Sequence, residues 1–300
     1  MAPIRTILCP VDFSNDTDHA IAHATALARW YHAKIVGLHV FQPVFAAVPA
    51  FPAGGYAGGP VPDDTTVAEF ENDVRHALRQ ATVADVAIDA HCVIGDPART
   101  ILAWSASLPA DLIVIGTHGA GGFEHLMLGS VTEKVLRRAV CPVMTIPPRT
   151  RTTAVLPYKR ILCPVDFSDP SMSALASALA IANESQADVT LMHVLEWPSD
   201  MEPRTNRGFN VPEYGAYRAA AAKQQLEQLL PHDADARGAV RTLILHGKPY
   251  SEILSAAAAL PADLIVMGVH GRNALDVMLF GSTTNQVVRR ATCPVLTLRR

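Results

Sequence analysis

The chain contains itself twice. "ILCPVDFS" at Ile7–Ser14 recurs letter for letter at Ile161–Ser168, an offset of 154 residues. "LPADLIVIGTHG" from Leu108 returns as "LPADLIVMGVHG" from Leu260, and "CPVMTI" from Cys141 returns as "CPVLTL" from Cys293, both at an offset of 152. The change of offset places a net two-residue deletion between Val194 and Gly247 of the second copy. A duplication of this length requires each copy of about 150 residues to fold as a complete unit with its own core. The expected domains are therefore 1–147 and 158–300. They are joined by a linker, 148–157, in which Pro, Thr and Arg replace any hydrophobic period.

Within a copy, short apolar runs alternate with amphipathic segments. Ile4–Val11 reads as a strand, Asp16–Tyr31 as a helix, Lys34–Phe41 as a second strand and Asp64–Val83 as a second helix. Ile88–Ile94, Leu112–Ile115 and Val143–Ile146 complete five strands, with helices at Ala98–Ser107, after Pro97, and at Ser130–Arg138. Leu112–Ile115 is apolar at every position, as a strand buried on both faces of a parallel sheet must be. The pattern predicts an α/β protein made of two doubly wound parallel sheets in tandem. Two long connections, Gln42–Pro62 and Glu196–Tyr214, read as loops.

The most informative stretch is "GTHGAGGFEHLMLGS", Gly116–Ser130, which returns as "GVHGRNALDVMLFGS", Gly268–Ser282. The glycines that recur have the spacing G-x2-G-x9-G-S, while the residues between them differ freely. The run starts where the fourth strand ends and closes where a helix begins. Unpaired N–H groups and a partial positive charge at a helix start suit phosphate, and glycine lets backbone approach it closely. Gly116, Gly119, Gly129 and Ser130, and in the second copy Gly268, Gly271, Gly281 and Ser282, are thus candidates for a phosphate cradle. Either serine could instead cap its helix. No Lys precedes the serine, so the motif is not a P-loop.

This glycine spacing, with "CPV" in the final strand, "PVDFS" after the first and "GDP" at Gly95–Pro97, resembles the universal stress protein family, in a tandem form covering essentially the whole chain. The resemblance implies five parallel strands per copy in the order 3-2-1-4-5, an adenine nucleotide alpha hydrolase-like arrangement with strands one and four adjacent. It implies binding of ATP with Mg²⁺ in each half and a regulatory role in stress responses. Asp12 and Asp166 would accept hydrogen bonds from the ribose or adenine side, and Val40 and Val194 would pack against adenine. The residues alone leave a helix N-cap open for Asp12 and Asp166, and ordinary strand packing for both valines. The family also suggests pairing of chains, or of the two halves, through the final strands. A slow ATPase or nucleotidyl-transfer enzyme, and a module binding protein partners without nucleotide, are the competing functions.

The copies differ near the motif. Arg272 follows Gly271 where the first copy has Ala120, and Lys248 stands where the first copy has Asp96, so unequal nucleotide affinities are expected. A net charge of −3 gives no electrostatic reason to expect nucleic acid or an anionic membrane as a partner. No apolar run is long enough for a membrane span, and "MAPIRTILCPVDFS" lacks the features of a secretory signal. Five cysteines without a CxxC are expected to be packed free thiols in a cytoplasmic protein. His39 and His193 are expected to be satisfied histidines near the core, whereas His118 and His270 lie inside the glycine motif.

Overall fold

The computed structural model describes residues 4–43, 45–47, 56–58, 62–81, 85–118, 128–148, 150, 156–196, 211–230, 239–271 and 281–299. The chain divides into two compact units, residues 2–148 and 155–300 in their main parts.

In the first unit the elements are β1 (Thr6–Pro10), α1 (Asn15–Tyr31), β2 (Lys34–Phe41), β3 (Phe45–Ala47), β4 (Tyr56–Gly58), α2 (Asp64–Ala81), β5 (Ile88–Ile94), α3 (Pro97–Ser107), β6 (Leu112–Gly116), α4 (Ser130–Arg138) and β7 (Val143–Ile146). The five long strands are parallel and ordered β5-β2-β1-β6-β7. That is the expected 3-2-1-4-5 order. Winding runs outward from β1 through β2 to β5, then restarts on the other side of β1 with β6 and β7. Right-handed crossovers place the helices of these two series on opposite faces. Accordingly α1 packs with α2, and α3 with α4. Every residue of β6 is buried, so both faces of the sheet are covered.

The second unit repeats this plan with β8 (Arg160–Pro164), α5 (Asp169–Ser185), β9 (Asp188–Leu195), α6 (Val211–Gln228), β10 (Val240–His246), α7 (Pro249–Ala259), β11 (Leu264–Gly268), α8 (Ser282–Arg290) and β12 (Val295–Leu298). Its order is β10-β9-β8-β11-β12, again all parallel.

Three details depart from the sequence reading. β1 spans Thr6–Pro10, shorter than the expected Ile4–Val11. The first long connection contains a small antiparallel pair, β3 with β4, where "FAA" and "YAG" extend alongside each other. The second ends earlier than expected, since α6 already starts at Val211; Pro212 has no N–H to lose in a first helical turn. Residues 197–210 lie outside the described ones.

The clamp between first and fourth strands is a side chain. The N–H groups of Arg5 and Thr6 donate to Asp111 Oδ2 at 2.8 and 2.9 Å, and the N–H of Asp111 returns a bond to the Thr6 carbonyl at 3.0 Å. Asp263 repeats this, taking the N–H groups of Lys159 and Arg160 at 2.8 and 2.9 Å. This is what the aspartate of "LPAD" does in both copies.

The thiols are packed as expected. Cys9, Cys92, Cys163 and Cys293 are buried and free, and Cys141 is half-buried and free. Burial pushes Cys9, Cys163 and Cys293 up to about 12. Burial also presses His23, on the inner face of α1, from 6.5 down to about 4.

Two outcomes follow for stability. Asp111→Ala should lower the unfolding free energy of the first unit by about 2 kcal/mol, the size of a charged hydrogen-bond pair; a loss under about 0.5 kcal/mol in urea titration would show that the clamp does not hold the strands. His23 stays neutral when folded and takes a proton near pH 6.5 when unfolded. Its contribution is therefore present above pH 6.5 and is lost as pH falls toward 4, by at most about 3 kcal/mol. His23→Leu should flatten that part of the stability profile, and an unchanged slope would assign the acid sensitivity elsewhere.

Candidate functional site

With β1 and β6 adjacent, the chain leaves their carboxyl ends in opposite directions and opens a crevice where ligands bind in sheets of this type. Its first wall is "VDFS". The N–H of Ser14 donates to Asp12 Oδ1 at 3.1 Å and its hydroxyl donates to the same oxygen at 2.6 Å, a side-chain turn closing on the residue two positions on. The Thr17 hydroxyl donates to that oxygen too. Such a turn bends the intervening residue into left-handed backbone: Phe13 has φ 57° and its counterpart Phe167 φ 63°. Each costs about 1–2 kcal/mol. Each ring rests on a histidine, Phe13 on His39 and Phe167 on His193, with centroids 4.8 Å apart in both. Those histidines donate from Nδ1 to the carbonyls of Val11 and Val165, at 2.8 and 2.7 Å. They are the satisfied near-core histidines that their place in the second strand predicts.

Asp12 and Asp166 are therefore not the helix caps that one reading of the residues left open. Ser14 and Ser168 occupy the cap positions of α1 and α5. Ser168 donates to Asp166 Oδ1 at 2.6 Å and accepts from the Ser171 N–H at 3.4 Å. In both units a short turn after the first strand holds one oxygen of an aspartate. The spacing D-x-S was the signal for it.

The second wall is the glycine motif. Gly116 ends β6 and Gly268 ends β11. A Cβ on Gly268 would lie 2.9 Å from Pro170 backbone and 3.0 Å from the Ser171 nitrogen. One on Gly281 would lie 2.9 Å from the Val269 carbonyl oxygen, and one on Gly271 would lie 2.6 Å from Asp166 Oδ2. The sequence reading left these glycines bare for an approaching phosphate. At these three positions the space is taken by the protein's own chain. Gly271 in particular admits the aspartate of the first wall. In the first unit Gly116 is less crowded, its nearest neighbours 3.4 Å away, and Gly129 would meet the Thr117 carbonyl oxygen at 3.3 Å. Gly119 and Arg272 lie outside the described residues.

The last glycine of each motif is the helix cap. Gly129 caps α4 and Gly281 caps α8, neither with a side-chain hydrogen bond. Ser130 and Ser282 are the first helical residues and are exposed, so neither serine is the cap. The N–H groups at each helix start thus face the crevice end of the loop with no capping side chain to accept from them. Two threonines that sequence reasoning overlooked tie the loop shut: Thr132 Oγ1 donates to the Gly116 carbonyl at 2.8 Å and Thr284 Oγ1 to the Gly268 carbonyl at 3.0 Å. Their signal was the shared S-x-T after the motif. Val40 and Val194 lie half-buried near the ends of β2 and β9, paired with Val93 and Leu245. Asp96 is spent as the cap of α3, accepting from the Arg99 N–H at 2.8 Å; Lys248 holds the same position before α7 without a side-chain bond.

Among the described residues no three His, Cys, Asp or Glu side chains converge as a metal site, and no helix is long and apolar enough to cross a membrane. A family model described as "Universal stress protein family" matches residues 3–147 and again 157–299. A universal stress protein of Mycolicibacterium smegmatis is 30% identical over 305 residues, covering 98% of this chain and 96% of its own. One from Mycobacterium tuberculosis is 28% identical over 300 residues, covering 98% and 97%. The crystal structure of a universal stress protein from Archaeoglobus fulgidus shares the fold at 21% identity, with a TM-score of 0.64 over 98% of this chain.

The glycines make a graded prediction. Gly268→Ala drives its new methyl into backbone and should destabilise the second unit by about 1–3 kcal/mol. Gly116→Ala, with ordinary clearance, should cost under about 1 kcal/mol, most of it at the loop. Equal losses in thermal unfolding of the two variants would show that backbone crowding is not what selects these glycines.

Proposed function

The chain belongs to the universal stress protein family as a tandem of two family domains, and we propose that each half binds ATP with Mg²⁺ and that the nucleotide regulates what the protein contacts. One observation carries the reading: in both units a D-x-S turn holding an aspartate follows the first strand, and a glycine-capped helix start without a capping side chain follows the adjacent fourth strand. The helix start of α4, with Gly129 and Ser130, would take the phosphates, as would that of α8 with Gly281 and Ser282. The carboxylates of Asp12 and Asp166 suit ribose hydroxyls or the adenine amine, which donate. Val40 and Val194 offer apolar surface to the base.

Mg²⁺ would neutralise phosphate charge. It is a cation that keeps several waters and is commonly held through phosphates and one or two carboxylates. Binding and release, with turnover slow or nil, fit a crevice built from helix-start N–H groups and a carboxylate. The long connections, Gln42–Pro62 and Glu196–Tyr214, are where nucleotide would alter partner contacts, and pairing of chains through the final strands belongs to the same proposal.

Calorimetry on the full chain tests this. Two ATP per chain are expected, falling to one in Gly129→Val and to one in Gly281→Val, because a branched side chain at the cap obstructs the helix start. Absence of binding at millimolar ATP with Mg²⁺ would remove the nucleotide reading and favour the protein-interaction module.

A further inference from the structure

The two halves diverge beside Val40 and Val194. In the first unit four rings run from the end of β1 across β2 to α2. Phe13 lies 4.8 Å from His39 and 6.4 Å from Phe70, and Phe70 lies 5.1 Å from His39 and 5.9 Å from Phe41, between ring centroids. His39 is fixed by its Nδ1 bond to the Val11 carbonyl. Phe13 adjoins Asp12 in the chain, and His39 and Phe41 flank Val40. At φ 57° a glycine would be free of the Cβ cost that Phe13 carries, so the turn does not need the ring. Packing alone leaves it unexplained too, because Phe13 is still 44% exposed. A strained residue that keeps an exposed aromatic ring beside Asp12 points to a flat ligand. In the second unit Phe167 on His193 repeats the first contact, but the neighbours change. Leu195 ends its strand where Phe41 ends the equivalent one. Helices α2 and α6 align through their buried residues, Val74 and Leu78 with Ala222 and Leu226, which puts Arg218 in the place of Phe70. Its guanidinium donates to the Glu196 carbonyl at 3.4 Å.

We propose that the array of Phe13, His39 and Phe70 is the base platform of the first half and selects purine over pyrimidine nucleotides, whereas the second half, with Arg218 for Phe70, discriminates less by base. The inference rests on the nucleotide reading above. A bicyclic purine has more apolar face to lay on the exposed Phe13 ring than a monocyclic pyrimidine, so it stacks more strongly. Adenine and cytosine both carry an exocyclic amine, and the Asp12 carboxylate that would accept from one would accept from the other. Ribose and triphosphate are common to ATP and CTP. Preference between these two nucleotides therefore reads the platform and not the phosphate end. In the second half Leu195 has no π face and Arg218 is drawn to the Glu196 carbonyl, which leaves a smaller aromatic surface around Phe167 and His193.

Calorimetric titrations of the full chain with ATP, CTP and inorganic tripolyphosphate, each with Mg²⁺, test this. Gly281→Val isolates the first half and Gly129→Val the second. The first half should hold ATP about tenfold more tightly than CTP, and the second less than about threefold. Phe13→Leu keeps an apolar side chain and the same backbone strain while removing the π face. It should bring the first half's ATP-to-CTP ratio below about threefold and move tripolyphosphate affinity by less than about twofold. Arg218→Phe should raise the second half's ratio toward that of the first. Should Phe13→Leu fail to fold, Phe70→Leu, at the far side of the array, should cut the first-half ratio by about half or more. If a valine variant does not fold, the two-site isotherms of the otherwise unmodified chain give the same ratios, with Phe13→Leu moving one site only. A first-half ratio near one, or one indifferent to Phe13→Leu and Phe70→Leu, overturns the platform. A fall in tripolyphosphate affinity as large as that in ATP assigns Phe13 to the shape of the crevice and overturns it as well. Failure of all three probes to bind either half instead overturns the nucleotide reading itself.

Discussion

Everything the two crevices present depends on how a first strand is fastened to a fourth that lies about a hundred residues away in sequence. Parallel neighbours have no hairpin to set their register, and closing so long a loop costs conformational entropy. Here the fastening is a carboxylate at the start of the fourth strand, Asp111 or Asp263, which takes the two N–H groups at the start of the first. With the strands aligned at their amino ends, their carboxyl ends emerge side by side. The aspartate turn and the glycine motif then have no choice but to face each other.

The glycines of the motif serve this architecture before they serve any ligand. In the second unit, Gly268 and Gly281 allow chain to lie on chain, and Gly271 makes room for the carboxylate of Asp166. The crevice is thus assembled by mutual close approach of its two walls. The positive φ at Phe13 and Phe167 is strain held in the same place, offset by the histidine under each ring. A helix start left without a side-chain cap completes the picture; it and the positive φ occur in both units, while the tightest glycine contacts lie in the second.

Duplication holds the scaffold constant while charge changes. Asp96 caps its helix with its side chain in one half, and Lys248 holds the cap position without a side-chain bond in the other. Asp16 faces His118 in the first unit, whereas proline fills that place in the second. Such differences lie at helix starts, where the cap residues keep closely similar φ and ψ in the two units. They alter the charge, and at Pro170 the packing, beside the glycine motif.

Sequence alone determined the tandem architecture, the α/β class and most element boundaries, because repetition and hydrophobic period are written locally: Lys34–Phe41, Ile88–Ile94 and Val143–Ile146 are strands at the residues their pattern marks. It also singled out Asp12, Asp166 and the glycine spacing, while the strand order came with the family resemblance. What it left open was the division of labour. The Asp12–Ser14 turn is local, whereas the approach of Asp166 to Gly271 and of Asp16 to His118 was decided by tertiary structure. Those contacts join residues separated by up to about a hundred positions, and no local period encodes them; they exist only because the sheet brings the ends of its first and fourth strands together.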